Sequence, residues 1–551
     1  MTTKKNKFNI LSLIVSGFCI GLAFPPLDLF FLLFPGFAIL IYNIFTAEKL
    51  SEVFKRSYVI LFSAMLIAVS WLPMSGMREN ADRFLIVGGL LTMILYPVTY
   101  MIPVLSFYFI KNQLKKLFPD NILIPFLLFP PVWISFEYLM TATEISFPWL
   151  TVGNAFTTQL NKIQFADITG VFGISAWSLY ISVFLCLLFI SARKEQGFNF
   201  RNISYALIII ILYISPDFYT TFSRSESKYT ADYNRDTVKI GILQPNINPW
   251  KKWGAKQGDL VKDYLNSLNE LSFRNPKPDL IVMPETAMPF YFLHPSYDER
   301  FQMFKKLIDS SGVPVLIGSP DLETYTNPED VRIDSKVFSD GKRYDVFNSS
   351  SLLQRNSTRE NIQKYDKIKL VIGSERMPYQ EKLKFLQNLI KWSVGISSYQ
   401  IGNDTLIFKT DSGLNFNGVI CYESIYPEFF AKFIEKGAQF CVVITNDGWW
   451  GKLQGTYQHN QFAVLRAIEN RRWIARCANT GISGVFDPFG NKYDQTEINE
   501  KALFVSKIGQ RTELTFYTLH GDYIGKFSFG IWLGFLLVGV VIKFLKKKKQ
   551  S

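Results

Sequence analysis

Four segments of the 551-residue chain place chemically capable side chains at the ends of apolar runs. In Leu280-Ile281-Val282-Met283-Pro284-Glu285 a carboxylate follows a buried-type run and a proline, a setting suited to general base work. In Tyr365-Asp366-Lys367-Ile368-Lys369-Leu370-Val371 a lysine within apolar sequence could stabilise an oxyanion. Gly418-Val419-Ile420-Cys421-Tyr422-Glu423 ends a β-branched run on a thiol, with a carboxylate two residues on. Thr445-Asn446-Asp447-Gly448-Trp449-Trp450-Gly451, followed by Gln458-His459, adds a tryptophan pair and one of only three histidines. Taken alone, each has an ordinary reading. Glu285 is also a helix N-terminal glutamate on the dipole, Lys367 a strand lysine with a snorkelling stem, and Cys421 a small buried hydrophobe. The tryptophans suit either a core or a lipid interface. A dyad of Cys421 with His459 is a weaker alternative. There is no Cys-x-x-Cys spacing and His294, His459 and His520 are far apart, so no metal site is expected.

Such groups need a scaffold. Strand-like runs at 238–243, 280–283, 313–318, 418–421 and 441–444 alternate with helical patterns such as 260–271 and 301–308. That alternation predicts an α/β domain over residues 217–526. Around it lie apolar stretches of roughly spanning length, about 20 residues. Seven precede it, at 8–25, 29–47, 57–77, 84–110, 122–141, 171–192 and a shorter 202–216; an eighth follows at 527–545. The expected organisation is a seven-span membrane domain at 1–216, an inserted α/β domain at 217–526, and an eighth span with a basic tail at 527–551. Glu137 is the acidic residue within these spans and is expected near a helix end, at the interface.

Composition and charge agree with this division. The chain is 48% hydrophobic, 16% aromatic and only 19% charged, with a mean hydropathy of +0.12, which excludes intrinsic disorder. Five cysteines provide no disulfide framework. The +13 net charge could indicate nucleic acid, but its placement argues otherwise. Seventeen Lys and Arg fall in the N-terminus, alternate loops and tail, against three (Arg78, Arg83, Lys162) in the opposite loops. By the positive-inside rule both termini are cytoplasmic and residues 217–526 lie outside. The spans and their loops carry +10 of the charge and the α/β region +3, so no nucleic-acid partner is expected.

Glu, then Lys, then Cys, each closing an apolar run at separations of 82 and 54 residues, resembles the nitrilase superfamily. A nitrilase-like αββα sandwich inserted among membrane spans is similar to the apolipoprotein N-acyltransferase family. The resemblance implies Glu285 as general base, Lys367 as oxyanion-stabilising lysine and Cys421 as nucleophile. It implies Glu375, Tyr422, Glu423, Trp253, Asn348 and Pro378 as supporting residues, and Asp447, Arg466, Glu469 and Asn479 as surrounding scaffold. One stretch departs from the family pattern: Lys369-Leu370-Val371-Ile372-Gly373-Ser374-Glu375 keeps the carboxylate register but alters the loop. The implied activity moves an acyl chain from a membrane phospholipid, through a Cys thioester, to the α-amine of a diacylglyceryl apolipoprotein. It needs neither metal nor cofactor. The implied setting is the bacterial inner membrane, catalytic domain periplasmic, as a monomer. A membrane-tethered amidase or nitrilase acting on a small C–N substrate is the alternative, and a transporter with an external binding domain a more distant one.

Overall fold

The computed structural model describes residues 9–119, 121–194, 199–225, 237–254, 256–380, 382 and 399–550. Lys4, Lys5 and Lys7, counted in the charge bias, lie outside the described residues. Among the described residues, six helices are long and apolar enough to cross a membrane: Leu50–Ser75, Phe84–Leu117, Leu123–Ala142, Ala166–Arg193, Phe200–Ser223 and Tyr523–Leu545. Two more apolar helices, Ile10–Leu22 and Phe30–Thr46, are shorter. All eight expected stretches are thus helical, but two fall short by length of a full crossing. Thirteen residues at about 1.5 Å each give roughly 20 Å, less than a hydrocarbon core of about 30 Å. The last helix before the α/β domain runs on to Ser225, past the expected boundary at 216.

Small residues let these helices approach closely. Gly17 and Gly21, one turn apart, face Ile60 to Ala64: a Cβ on Gly17 would lie 2.2 Å from the Ile60 carbonyl oxygen, and one on Gly21 2.6 Å from that of Ala64. Leu207, Ile210 and Ile211 on one outer helix and Leu537, Val541 and Phe544 on another stay exposed, as lipid-facing side chains would. Glu137 corrects the sequence expectation. It is buried in the bundle, where its carboxylate accepts from Trp133 Nε1 (3.1 Å), Val152 N (2.8 Å) and Ser175 Oγ (2.9 Å). Three donors within reach make an interior position tenable.

The α/β domain contains two sheets. In the first, β1 (Thr237–Gln244), β2 (Leu280–Val282) and β3 (Val315–Thr324) run parallel. Joining it are β4 (Lys336–Val337), β5 (Arg343–Leu353), β6 (Gln363–Asp366) and, far along the chain, β13 (Ala502–Gly509). The second comprises β7 (Phe408–Lys409), β8 (Asn415–Ile420), β9 (Phe440–Thr445), β10 (Ile474–Ala478), β11 (Gly484–Phe486) and β12 (Lys492–Tyr493). Its central strands β8, β9 and β10 are parallel.

The pleat sorts side chains into layers. Ile240, Ile242, Leu280, Val282, Leu316 and Leu352 join the core shared with the second sheet. Their neighbours Ile281, Val315, Ile317 and Leu353 pack under the helices Gln257–Ser272 and Asp298–Ser311 through Leu260, Leu268, Phe301 and Phe304. The second sheet is covered by Pro427–Glu435 and Gln454–Asn470, whose Phe433 and Phe462 share a core with the membrane helices. The result is an αββα sandwich with one helical layer against the membrane unit. Arg471 bonds across that junction to Asp167 (2.7 Å) and Gln164.

Candidate active site

The nucleophile candidate occupies a strained turn. β8 ends at Ile420, and Cys421 takes φ = +53° at the start of the short turn Cys421–Ile425. A non-glycine residue in the left-handed region costs about 1–3 kcal/mol and persists only where its surroundings enforce it. Here the enforcement is Glu423, fully buried, which accepts from Ile420 N (2.9 Å), Ile368 N (2.7 Å), Lys369 N (3.1 Å) and Tyr365 Oη (2.6 Å). One carboxylate thereby staples the Cys421 turn to the segment bearing Lys367. The Cys421 carbonyl accepts from Ser424 Oγ at 2.8 Å.

Lys367 follows β6 and is completely buried between two carboxylates. Its ammonium donates to Glu285 Oε1 (3.2 Å) and to Glu375 (2.9 Å). Asn348, on β5, donates from Nδ2 to both acids at 2.8 Å. Val371 N bonds the other Glu375 oxygen at 2.8 Å, so the altered loop, turning at Gly373 (φ +76°), still returns this carboxylate to the lysine. Glu285 reaches the site because β3 offers Gly318, where a Cβ would lie 2.5 Å from the Pro284 carbonyl. Burial disfavours the Lys367 ammonium, but the attraction of Glu285 and Glu375 outweighs it and holds its pKa well above the ordinary lysine value. Burial, then the Glu285 charge, pushes the Cys421 thiol well up, with Lys367 pulling the other way. The resting site therefore holds a thiol beside a carboxylate and an ammonium, an arrangement suited to nucleophilic acyl transfer.

Comparison with known proteins adds a second line of observation. Residues 16–184 match the apolipoprotein N-acyltransferase N-terminal domain, and 239–511 match carbon-nitrogen hydrolase. Apolipoprotein N-acyltransferase of Chlorobaculum tepidum is 30% identical over 96% of this chain and 96% of its own. The chain belongs to the apolipoprotein N-acyltransferase family. The protein of that name from Geobacter metallireducens is 26% identical, covering 92% of this chain and 91% of its own. Among solved structures, Saccharomyces cerevisiae Nit3 of the nitrilase superfamily aligns at 15% identity and a TM-score of 0.36, over 50% of this chain and 90% of that one.

Other residues implied by the family resemblance fall into distinct places. Tyr422 turns toward the membrane unit: its hydroxyl donates to the Ser146 carbonyl (2.9 Å) and its ring stacks near Trp149. Trp253 is half-buried after the short helix Pro249–Lys252, and its Nε1 has no partner among the described residues. Pro378 is half-buried, in a turn that meets the membrane unit where Tyr379 N donates to Glu144 (2.7 Å). Of the tryptophan pair, Trp450 packs on Trp71 and Trp149, and Trp449 on Trp250, so Trp450 packs into the junction with the membrane unit.

His459 and Asp447, both noted in the sequence, and Gln458 and Lys252 take their places only in the geometry. His459 Nδ1 lies 2.7 Å from Asp447 Oδ1, and its Nε2 lies 3.2 Å from the carbonyl oxygen of Cys421, not on the thiol. Asp447 also accepts from Arg476 (2.6 Å) and Thr445 (2.8 Å). Cys421, Asp447 and His459 bring ligand-type atoms within 4.8 Å of one another, yet the Asp447 oxygens are already engaged by these donors. Burial alone would raise Asp447, but Arg476 and His459 hold it below the usual carboxylate range. Next to His459, Gln458 is anchored in the membrane unit: it accepts from Trp71 and Trp149 and donates to the carbonyls of Pro25 and Ala68. No sequence spacing marks these contacts, although Gln458-His459 lies within a recognised segment. The last addition is Lys252, fully buried, one residue before Trp253.

Proposed function

We propose that the chain transfers a fatty acyl group from a membrane phospholipid to the α-amine of an apolipoprotein's N-terminal diacylglyceryl-cysteine. Glu285 takes the Cys421 proton, and the sulfur attacks the donor ester carbonyl. Lys367 and the Tyr422 backbone N–H stabilise the oxyanion. The ester C–O bond breaks, Glu285 protonates the departing lysophospholipid, and a thioester remains on Cys421. The acceptor nitrogen then attacks that thioester and displaces the sulfur, with Glu285 or Glu375 accepting the nitrogen's proton, giving an amide and the restored thiol in a two-step, ping-pong cycle.

The observation that carries this reading is a strained cysteine turn beside a doubly paired lysine, in an α/β domain whose helical layer packs into a membrane unit. Two lipid-anchored substrates explain that fusion. The amidase alternative leaves the membrane unit without a role. On this reading residues 217–526 form the catalytic domain, on the periplasmic side of the inner membrane, as the Lys and Arg bias supports. Every group the cycle needs is present in one chain, which suits a monomer. The test is incubation of the purified protein with acyl-labelled phospholipid, followed by hydroxylamine. A hydroxylamine-sensitive adduct is expected on the wild type and none on Cys421→Ala; an adduct surviving in Cys421→Ala would overturn the mechanism.

A further inference from the structure

The two half-reactions differ in their proton balance. Thiol plus ester gives thioester plus alcohol, and the single proton Glu285 takes from sulfur returns to the leaving oxygen. An α-amine of ordinary pKa, about 7.7–8.0, reaches the site near neutrality largely as an ammonium. Thioester plus ammonium gives amide, thiol and one extra proton. Glu285 can carry one proton from nitrogen to sulfur; the other needs a second base in this buried site, where Glu375 already accepts from Lys367, Asn348 and Val371 N.

Lys252 has the placement for it. The amine is 1% exposed, yet its one hydrogen bond among the described residues is a long 3.4 Å contact to Thr286 Oγ1. No carboxylate lies within 4 Å of it among those residues. Thr286, held at φ = +46°, directly follows Glu285. The lysine is fixed in place by its surroundings: Asn248 caps its short helix, Ile247 bonds both side-chain ends of Asn479, and Pro249 packs on Gly448. Among the described residues, Glu285 is the acid whose charge reaches Lys252, and Asp447 lies on the turn packed against its helix. Asp447 is committed to Arg476 and His459, whereas the Glu285 charge acts on Lys252. A buried amine lacking a counter-ion, beside the general base, is costly to retain without a use.

We infer that Lys252 accepts the extra proton of the incoming ammonium, so that the second half-reaction runs with two bases. Building on the acyl-transfer reading above, Lys252 Nζ takes one proton from the acceptor and becomes an ammonium. The free amine nitrogen then attacks the Cys421 thioester; the C–N bond forms and the C–S bond breaks. Glu285 carries the second nitrogen proton to sulfur, and Lys252 gives its proton to water once the product has left. Burial supports this role by lowering the Lys252 pKa to about 7, with the Glu285 charge opposing.

The test separates the half-reactions. Acyl-enzyme is formed from labelled phospholipid, then chased with a synthetic diacylglyceryl-cysteine peptide between pH 6.5 and 9. In Lys252→Met, thioester formation should stay within a few-fold of wild type. Transfer should slow roughly 10-fold at pH 7, where about a tenth of an amine of pKa ~8 is neutral, and recover by pH 9. Lys252→Arg retains a cation that cannot take a proton, and should show the same defect and recovery. Wild-type transfer in either variant, or a defect equal in both half-reactions and flat with pH, overturns the role. Absence of any thioester on the wild-type protein would instead sink the acyl-transfer reading itself, and the Lys252 role with it.

Discussion

Two buried ionic clusters in this molecule are built from similar parts and differ in completeness. At the junction with the membrane unit, Arg471 spends its guanidinium on Asp167 (2.9 and 2.7 Å), Gln164 and the Pro488 carbonyl. Tyr219 supplies the remaining Asp167 oxygen with a bond of 2.7 Å. In the site, one ammonium serves two carboxylates, and among the described residues Asn348 Oδ1 has no partner and Lys252 no ion pair within 4 Å. The first cluster is closed and acts as a lock. The second is left short of partners, and on the proposed function substrate atoms supply them. Between these two clusters, full satisfaction goes with the structural role and deficiency with the proposed chemistry.

The sharpest way to break the contrast is Glu285→Gln. Removing a general base costs about 10²–10⁴-fold, and thioester formation should fall by that amount. The amide oxygen can still accept from Lys367 and Asn348, so the melting temperature should barely move. A variant that unfolds instead would make Glu285 part of the scaffold. Rapid-quench thioester measurements beside a thermal melt distinguish these outcomes.

The reverse should hold for Arg471→Met. Truncating one partner of a buried ion pair typically costs about 3–5 kcal/mol, because the other charge is stranded. Asp167 would be the stranded group. Melting temperature should drop substantially, while the fraction that remains folded forms thioester at the wild-type rate. Adding Asp167→Asn should recover part of the loss. A rate defect larger than the loss of folded protein would show that the junction tunes the site as well as holding it.

The same contrast explains what the sequence made legible. Glu285, Lys367 and Cys421 stand out because each closes an apolar run, a local pattern. The helices predicted at 260–271 and 301–308 lie within Gln257–Ser272 and Asp298–Ser311 for the same reason: their apolar period is local. β5 was hidden because its centre reads Asn348-Ser349-Ser350-Ser351. Small polar residues are needed where the sheets touch, and Ser350 Oγ donates to the Gly418 carbonyl at 3.1 Å. The Arg471 lock, the Gln458 anchor and the His459–Asp447 pair join segments distant in sequence or meaningful only once folded, so no spacing reveals them. Glu137 was misplaced because its donors come from three different positions in the bundle. Nothing local in the sequence sets Lys252 apart, since its burial depends on Asn479 holding the preceding turn.

The smallest predicted effect asks which class Lys252 belongs to. A lysine kept for structure should destabilise when removed; one kept for chemistry should not. Its folded pKa is depressed to about 7 by burial, while in the unfolded chain it is near 10.4. Between those values the unfolded state binds more protons, so this residue makes wild-type stability rise with pH and imposes its full cost below about pH 7. Lys252→Met removes that cost. The variant should melt higher than wild type at pH 7, by a few degrees if the net gain is about 1 kcal/mol. The gain should shrink as pH rises from 7 and be lost above about 10.4, where wild-type Lys252 is neutral in both states. A lower melting temperature at every pH would place Lys252 with Arg471 among the locks, whereas a pH-dependent gain together with slowed aminolysis would place it in the incomplete cluster, where an unmet demand is left for the substrate.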